Sequence, residues 1–281
     1  MISVVIPTFN RAHLISRAIK SIQDQTFRDW ELLIVDDGSI DNTVQVISEF
    51  SDDHRIRYIG KENSGAAHSR NVGVEQASNE WITFLDSDDE ARPDWLQKFV
   101  DEINSGAQIV SCGLEKYNEK GEHISTKIPT QNAHRTGGQF TNGGVYILKK
   151  EHFLAIGGFD PLLRSGQHTE LYFRLRKYAA ERNIVTTVIP LPLIKIHIHT
   201  GYRIRSDHKA KFEGSMYTYR KHFNDAIKPK KMRSLFEGLI AYNAFKIGKY
   251  DTAVAFGWKS FINKPGKKSF QRLLRYVFRI R

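Results

Sequence analysis

Short apolar runs alternate with stretches of helical period through the first hundred residues, and this alternation limits the fold more than any other feature of the chain. "ISVVIP", "WELLIVDD", "RIRYIG", "EWITFL" and "AQIVSCGL" read as buried strands. Between them lie "RAHLISRAIKSIQDQ", "NTVQVISEF", "GAAHSRNVGVEQA" and "PDWLQKFVDEI". The first of these puts Leu14, Ile15, Ala18, Ile19 and Ile22 on one helical face, and Pro93 stands near the start of the last, where a missing N–H is tolerated. Strand and helix in strict alternation predict an α/β fold with a mostly parallel, doubly wound, Rossmann-like sheet. Sheets of that kind bind ligands beyond the carboxyl ends of their strands.

Three polar segments, "PTFN", "DDGS" and "DSDD", each follow an apolar strand directly. With parallel strands, all three converge on one edge of the sheet. The last belongs to "FLDSDDE", where four acids crowd the end of a buried run. Like charges this close repel, and each resists desolvation, so the cluster calls for a counter-charge. In Asp86-Ser87-Asp88, alternate side chains of an extended segment point the same way, and both carboxylates can face one ligand. Mg2+ or Mn2+, hard cations that take oxygen ligands and keep positions for phosphates, fit that chemistry.

"SVVIPTFNR", "SIQDQTFRDWELLIVDDGSIDNT", "ENSGAAHSRNVGVEQA" and "EWITFLDSDDEARPDWL" occur in order over residues 2–115. Together they resemble the family 2 glycosyltransferases with the GT-A fold, and the likeness continues loosely through "GGFDPLLRSGQHTELYFRL". The resemblance implies a nucleotide-sugar donor, usually a UDP-sugar, and a divalent metal, Mn2+ or Mg2+. It sets Pro7, Thr8 and Phe9 against the nucleoside, with Phe9 stacked on the base, Asp37 on the uracil and Arg70 at the nucleotide. Asn63 and Gly65 come to the donor by the same likeness; alternatively they only form the turn that starts a helix. Asp86 falls in the ribose and metal region, and Asp88 matches the principal metal ligand.

An inverting transfer needs a base for the acceptor hydroxyl. The resemblance gives an aspartate that role, at the start of a helix ending "L-x-x-R". Here Glu170 and Arg174 match, but His168 occupies the base position. Three readings stay open: His168 is the base, with an unperturbed pKa of roughly 6.5; Glu170 serves instead; or ordinary transfer is lost. In "KIHIHTG", His197 and His199 share one face of an extended segment, either as strand-edge histidines or with His199 on the metal or diphosphate. The two prolines of "VTTVIPLPLIKIHIH" predict an edge strand.

The net charge of +11 is uneven. From Lys228 to Arg281 there are 14 Lys+Arg against two acids, 14 − 2 = +12; residues 1–227 hold 28 against 29, or −1. We expect residues 1–207 to form the catalytic domain and residues 208–281 a helical, basic extension. In "SFQRLLRYVFRIR", Phe270, Leu273, Leu274, Val277 and Phe278 form an apolar stripe with Arg272, Arg275 and Arg279 off it. Such a helix either lies on an anionic membrane or docks its stripe on the protein. No nucleic-acid-binding motif is present, so nucleic acid is not an expected partner. No stretch approaches the ~18 apolar residues of a membrane span, and with the chain opening into the strand-like "ISVVIPTF" no signal peptide is expected. The single cysteine, Cys112, excludes an internal disulfide and reads as a small buried hydrophobe. The expected location is cytoplasmic, peripheral on the inner face of the cell membrane. The expected function is metal-dependent transfer of a hexose-type sugar from a UDP-sugar to a glycan or lipid-linked glycan of a surface polysaccharide. The alternative is a non-catalytic nucleotide-sugar binder or membrane scaffold.

Overall fold

The computed structural model describes residues 1–129, 143–198 and 207–279. The chain forms two compact units, Met1–Pro161 with Arg174–Thr200, and Leu162–Phe173 with Gly201–Arg281.

The first unit is built on a nine-stranded sheet. Its strands are β1 (Ile2–Thr8), β2 (Trp30–Asp36), β3 (Ile56–Gly60), β4 (Trp81–Phe84), β5 (Asp89–Ala91), β6 (Ile109–Tyr117), β7 (His123–Lys127), β8 (Tyr146–Lys149) and β9 (Thr186–His197). They run in the order β3-β2-β1-β4-β8-β6-β9-β5, with β7 added to β6. All seven residues of β1 are buried, because β2 and β4 flank it and both sheet faces are covered. Helices α1 (Ile15–Gln23), α2 (Thr43–Ser48), α3 (Ala66–Gln76) and α4 (Trp95–Asn104) make the crossovers, and α5 (Lys150–Ala155) follows β8. On α1, Ile15, Ala18, Ile19 and Ile22 are buried, as the 3.6-residue pattern predicts.

The β3-β2-β1-β4 half is parallel, so its strands end on one edge: Thr8 pairs with Asp36, Asp36 with Gly60, and Val5 with Phe84. Beyond β4 the sheet is mixed. Strand β8 inserts between β4 and β6, antiparallel to both. Strand β9 runs parallel to β6 on one side, while on the other β5 pairs antiparallel with Ile194–Ile196 only, so the stretch with Pro190 and Pro192 is an edge among the described residues, as its prolines predict. On the β6 side the register breaks on either side of Gly113, which pairs with Pro192. A Cβ on Gly113 would come within 2.7 Å of the Lys127 carbonyl and 2.9 Å of the Leu191 carbonyl, so a larger residue would push the strands apart there.

Phe84, the last residue of β4, packs its ring against Tyr146, Phe153 and Phe159 at 5.8, 5.7 and 5.2 Å. Aromatic pairs at such distances add about 0.5–1.5 kcal/mol each beyond the area they bury. This cluster fixes the strand end that delivers Asp86. Cys112 is buried, and burial pushes its thiol pKa up, so it stays protonated and inert.

The second unit is helical. It carries the start of α6 (Gln167–Glu181), then α7 (His208–Lys221), α8 (Lys230–Lys246), α9 (Tyr250–Asn263) and α10 (Lys267–Val277). Helices α8 and α9 form a hairpin, with Gly248 at φ 79° in the turn. Ser234 and Ser260 exchange hydroxyl-to-carbonyl bonds of 2.9 and 2.8 Å across it. Asp207 caps α7 by accepting the Ala210 N–H at 2.9 Å. No helix among the described residues is long and apolar enough to cross a membrane.

Candidate donor and metal site

The residues that follow β1, β2, β3 and β4 are tied to one another by side chains. Asn10, in the left-handed region at φ 51°, donates its N–H to Ser39 Oγ at 2.8 Å and accepts the Ile40 N–H at 2.9 Å on Oδ1. The Arg11 N–H bonds Thr43 Oγ1 at 2.8 Å. These contacts lock the segment after β1 to the one after β2. Pro7 and Thr8 are buried below them, and Phe9 is 41% exposed, its ring open to a ligand.

Asp37 joins the segments after β2 and β3. Its Oδ1 accepts the Ser64 N–H at 2.9 Å and the Lys61 ammonium, and its Oδ2 accepts the Gly65 N–H at 2.8 Å. Burial alone would raise its pKa; Lys61 and the two amides outweigh burial and hold it below the usual carboxylate range. A carboxylate oxygen has two lone pairs, so Oδ2 retains capacity for a ligand N–H. The neighbouring Asp36 accepts Ser39 N–H and O–H at 3.0 and 2.6 Å and closes its own turn. Gly38, at φ 78°, would place a Cβ 3.2 Å from the Asn63 nitrogen, so a glycine lets the two segments approach. Asn63 lies in that approach, and Gly65, at φ 92°, is the residue before α3.

Arg70, on α3, is buried and donates to Asp86 Oδ1 at 2.6 Å, with its guanidinium 5.4 Å from the Phe159 ring centre. It reaches Asp86 directly, a contact the motif alone does not reveal. Asp86, Asp88 and Asp89 can bring one carboxylate oxygen each to within 4.8 Å of one another. Asp89 N–H closes a turn on the Asp86 carbonyl at 3.0 Å, and Arg17 donates to the Asp88 carbonyl at 2.7 Å. Three convergent carboxylates with no sulfur or nitrogen donor among them suit Mg2+ or Mn2+. Asp89, 1% exposed, was missed by the D-x-D pattern, because strand alternation turns it away from Asp86. The Asp86–Asp89 turn brings it back.

Next to this trio, Glu90 bridges β5 to β9 by accepting from Lys195 at 2.7 Å and contacting His197 Nε2 at 3.0 Å. His197 is thus engaged with Glu90, and burial, then Arg17, lowers its pKa against the opposing pull of Glu90. His199 lies outside the described residues. His168 and Glu170 stand in the first turn of α6, within the second unit. His168 is 8% exposed and Glu170 fully buried, its Oε1 facing Lys221 Nζ at 2.9 Å and His222 Nε2 at 3.1 Å.

Comparison with known proteins agrees with this architecture. A glucosyltransferase of Campylobacter jejuni, GalNAc(5)-diNAcBac-PP-undecaprenol beta-1,3-glucosyltransferase, is 40% identical over 131 residues. That match covers 45% of this chain and only 42% of the relative, so the likeness spans less than half of either protein. Among solved structures, S. aureus TarS 1-349 in complex with UDP-GlcNAc superposes with TM-score 0.66 at 15% identity, over 98% of this chain and 79% of that one. The Pyrobaculum calidifontis mannosyltransferase PcManGT, in complex with GDP-Man and Mn2+, gives 0.65 at 16%, over 99% and 84%. At such identities the superpositions establish the GT-A fold alone. The family described as Glycosyl transferase family 2 matches residues 3–160. With more than half of its length matched, and with the strand ends, acidic trio and fold in agreement, the chain belongs to glycosyl transferase family 2.

Proposed function

We propose that the chain is a metal-dependent, inverting glycosyltransferase that moves a hexose-type sugar from a UDP-sugar to a lipid-linked glycan in surface polysaccharide synthesis. One observation carries the reading: the segments after β1, β2 and β3 are bonded to one another, and Arg70 of α3 bonds Asp86 after β4, beside three convergent carboxylates. The lipid-linked acceptor draws on the name of the C. jejuni relative, and the uridine on the TarS complex.

In this reading Pro7 and Thr8 line the nucleoside and Phe9 stacks on its base. Asp37 accepts an imide N–H of the uracil on Oδ2, and Asn63 and Gly65 border the donor. Arg70 positions Asp86. Asp86, Asp88 and Asp89, with His199, would hold Mn2+ or Mg2+, which when bound would neutralise the donor's diphosphate. His168 takes the proton of the acceptor hydroxyl while its oxygen bonds to the anomeric carbon and the carbon–oxygen bond to the diphosphate breaks. Glu170, whose carboxylate faces Lys221 and His222, supports the segment that carries His168. Residues 1–207 act as the catalytic domain, and the basic extension 208–281 meets an anionic membrane surface on the cytoplasmic side. A histidine where the family has aspartate also favours a second reading, a nucleotide-sugar binder with an altered base position.

The test is nucleoside diphosphate release from a panel of nucleotide sugars, with Mn2+, Mg2+ or chelator, by the native chain and His168→Asp. Metal-dependent release by the native chain with one uridine donor is the expected result. Release by His168→Asp alone would support the altered-base reading. Silence from both, together with no metal-dependent donor binding, would overturn the enzyme reading.

A further inference from the structure

The apolar stripe of α10 is divided. Leu273 and Tyr276 are buried at 2% and 5% exposure, against Gly257 of α9, where a Cβ would meet them at 3.2 and 2.9 Å. The Tyr276 ring also reaches Phe245 of α8 at 5.4 Å. This inner half is enough to dock the helix. The outer half stays in solvent: Phe270 is 45% exposed, Leu274 36%, Val277 45% and Phe278 67%. It continues onto α9, where Trp258 and Ile262, one turn apart, are 48% and 69% exposed. Rings join the two helices, Trp258 to Phe261 at 6.0 Å and Phe261 to Phe270 at 5.8 Å. The result is one apolar ridge across two helices.

We propose that this α9–α10 ridge is a docking face for an anionic lipid bilayer, with Trp258, Ile262, Phe270 and Phe278 entering the headgroup–acyl boundary. The proposal deepens the membrane part of the function proposed above and rests on it. Charge selects the occupant. Lys259, Lys264, Lys267, Lys268, Arg272, Arg275 and Arg279 accompany the ridge, and no acid follows Asp251 in the sequence. A second copy of the chain pairing through the same face would set these cations against each other. A nucleic acid would satisfy the cations but leave Ile262, Leu274 and Val277 facing sugar and phosphate. An anionic bilayer satisfies both: headgroups meet Lys and Arg, and the acyl boundary takes the aromatic and aliphatic side chains.

The experiment is flotation of the full chain with phosphatidylcholine vesicles, with and without phosphatidylglycerol, read beside Trp258 quenching by brominated lipid. Binding should be at least about tenfold tighter to the anionic vesicles and should weaken with salt. Ile262→Ser with Phe270→Ser should lose at least about tenfold in affinity, because two inserted side chains are removed. Ile262 is 69% exposed, so Ile262→Ser alone should weaken binding without moving the thermal melt, and Trp258→Phe should abolish most of the quenching. Equal binding by the native chain and the double variant, no binding of either, or a native dimer broken by Ile262→Ser would each overturn the ridge proposal. Donor turnover is measured in parallel without lipid. No vesicle binding by the native chain with intact turnover sinks the docking face alone, whereas intact vesicle binding with neither donor turnover nor metal-dependent donor binding sinks the transferase reading alone.

Discussion

Asp37 shows how one side chain can shape a site and support the fold together. It gathers Lys61, Ser64 and Gly65, and Lys61 is only 13% exposed. Asp37→Asn keeps the shape but removes the charge, and should cost about 2 kcal/mol in urea unfolding, the scale of a charged hydrogen bond. Donor affinity measured by calorimetry should fall in parallel. Glu170→Gln separates two roles that the motif leaves open. Its carboxylate is fully buried beside Lys221 and His222, so the substitution should cost a comparable ~2 kcal/mol. If Glu170 were instead the base, the variant would also lose transfer at temperatures where it is still fully folded. The two acids of "VDDGS" look alike in the sequence; their different partners, Ser39 for Asp36 and Lys61 for Asp37, depend on how the segments after β2 and β3 meet.

At the level of elements, the site is held by the packing of α3 beneath the parallel strands. A Cβ on Gly73 would lie 2.3 Å from Val5 Cγ1 and 3.2 Å from Val35 Cγ2. Gly73→Ala should therefore destabilise by about 1–3 kcal/mol through overpacking, measurable as a lower urea midpoint at unchanged slope. Carboxylates also pin the strand ends, and three show the same balance. Burial pushes Asp37, Glu90 and Glu115 up, but Lys61 with the Ser64 and Gly65 amides, Lys195 with His197, and Arg92 with Tyr117 together outweigh it and leave each pKa lowered. A depressed folded pKa contributes stability that is present above the unfolded value and lost as pH falls through the folded one. Stability should thus hold near neutrality and decline below about pH 4, and Glu90→Gln should flatten that decline in a pH series of urea melts. Strand alternation predicted β1 to β4 in type and direction. It could not predict β8 between β4 and β6, because a four-residue strand carries no signal of its partner.

For the whole molecule, contacts divide the chain at places that local pattern does not mark. Leu162–Phe173 belongs to the helical unit, ahead of its continuation at residue 201 in the sequence. Gly214 of α7 explains the closeness: its Cβ would sit 2.2 Å from the Ser165 carbonyl oxygen. Removing residues 208–281 should therefore strip the first turn of α6 of its partners, leaving buried Glu170 without Lys221 and His222. Hydrogen exchange should show lost protection over residues 167–171 while β1 and β2 stay protected. Unchanged protection there would mean that the segment is ordered without the extension.

The parallel half-sheet, the edge where its loops converge and the acidic cluster are legible in the amino-acid order, because each depends on periods of 2 and 3.6 residues and on residue type. The family resemblance carried most of the roles assigned to Phe9, Asp37, Arg70 and Asp88. That Arg70 reaches Asp86, that Asp89 joins the trio through a turn, and that β9 lies between β6 and β5 follow from the folded chain alone. Folding also splits the α10 stripe into a docked half and an exposed half. Each of these depends on which distant segments meet. A local pattern shows that a side chain is apolar or charged, but its partner is fixed only when the chain closes on itself.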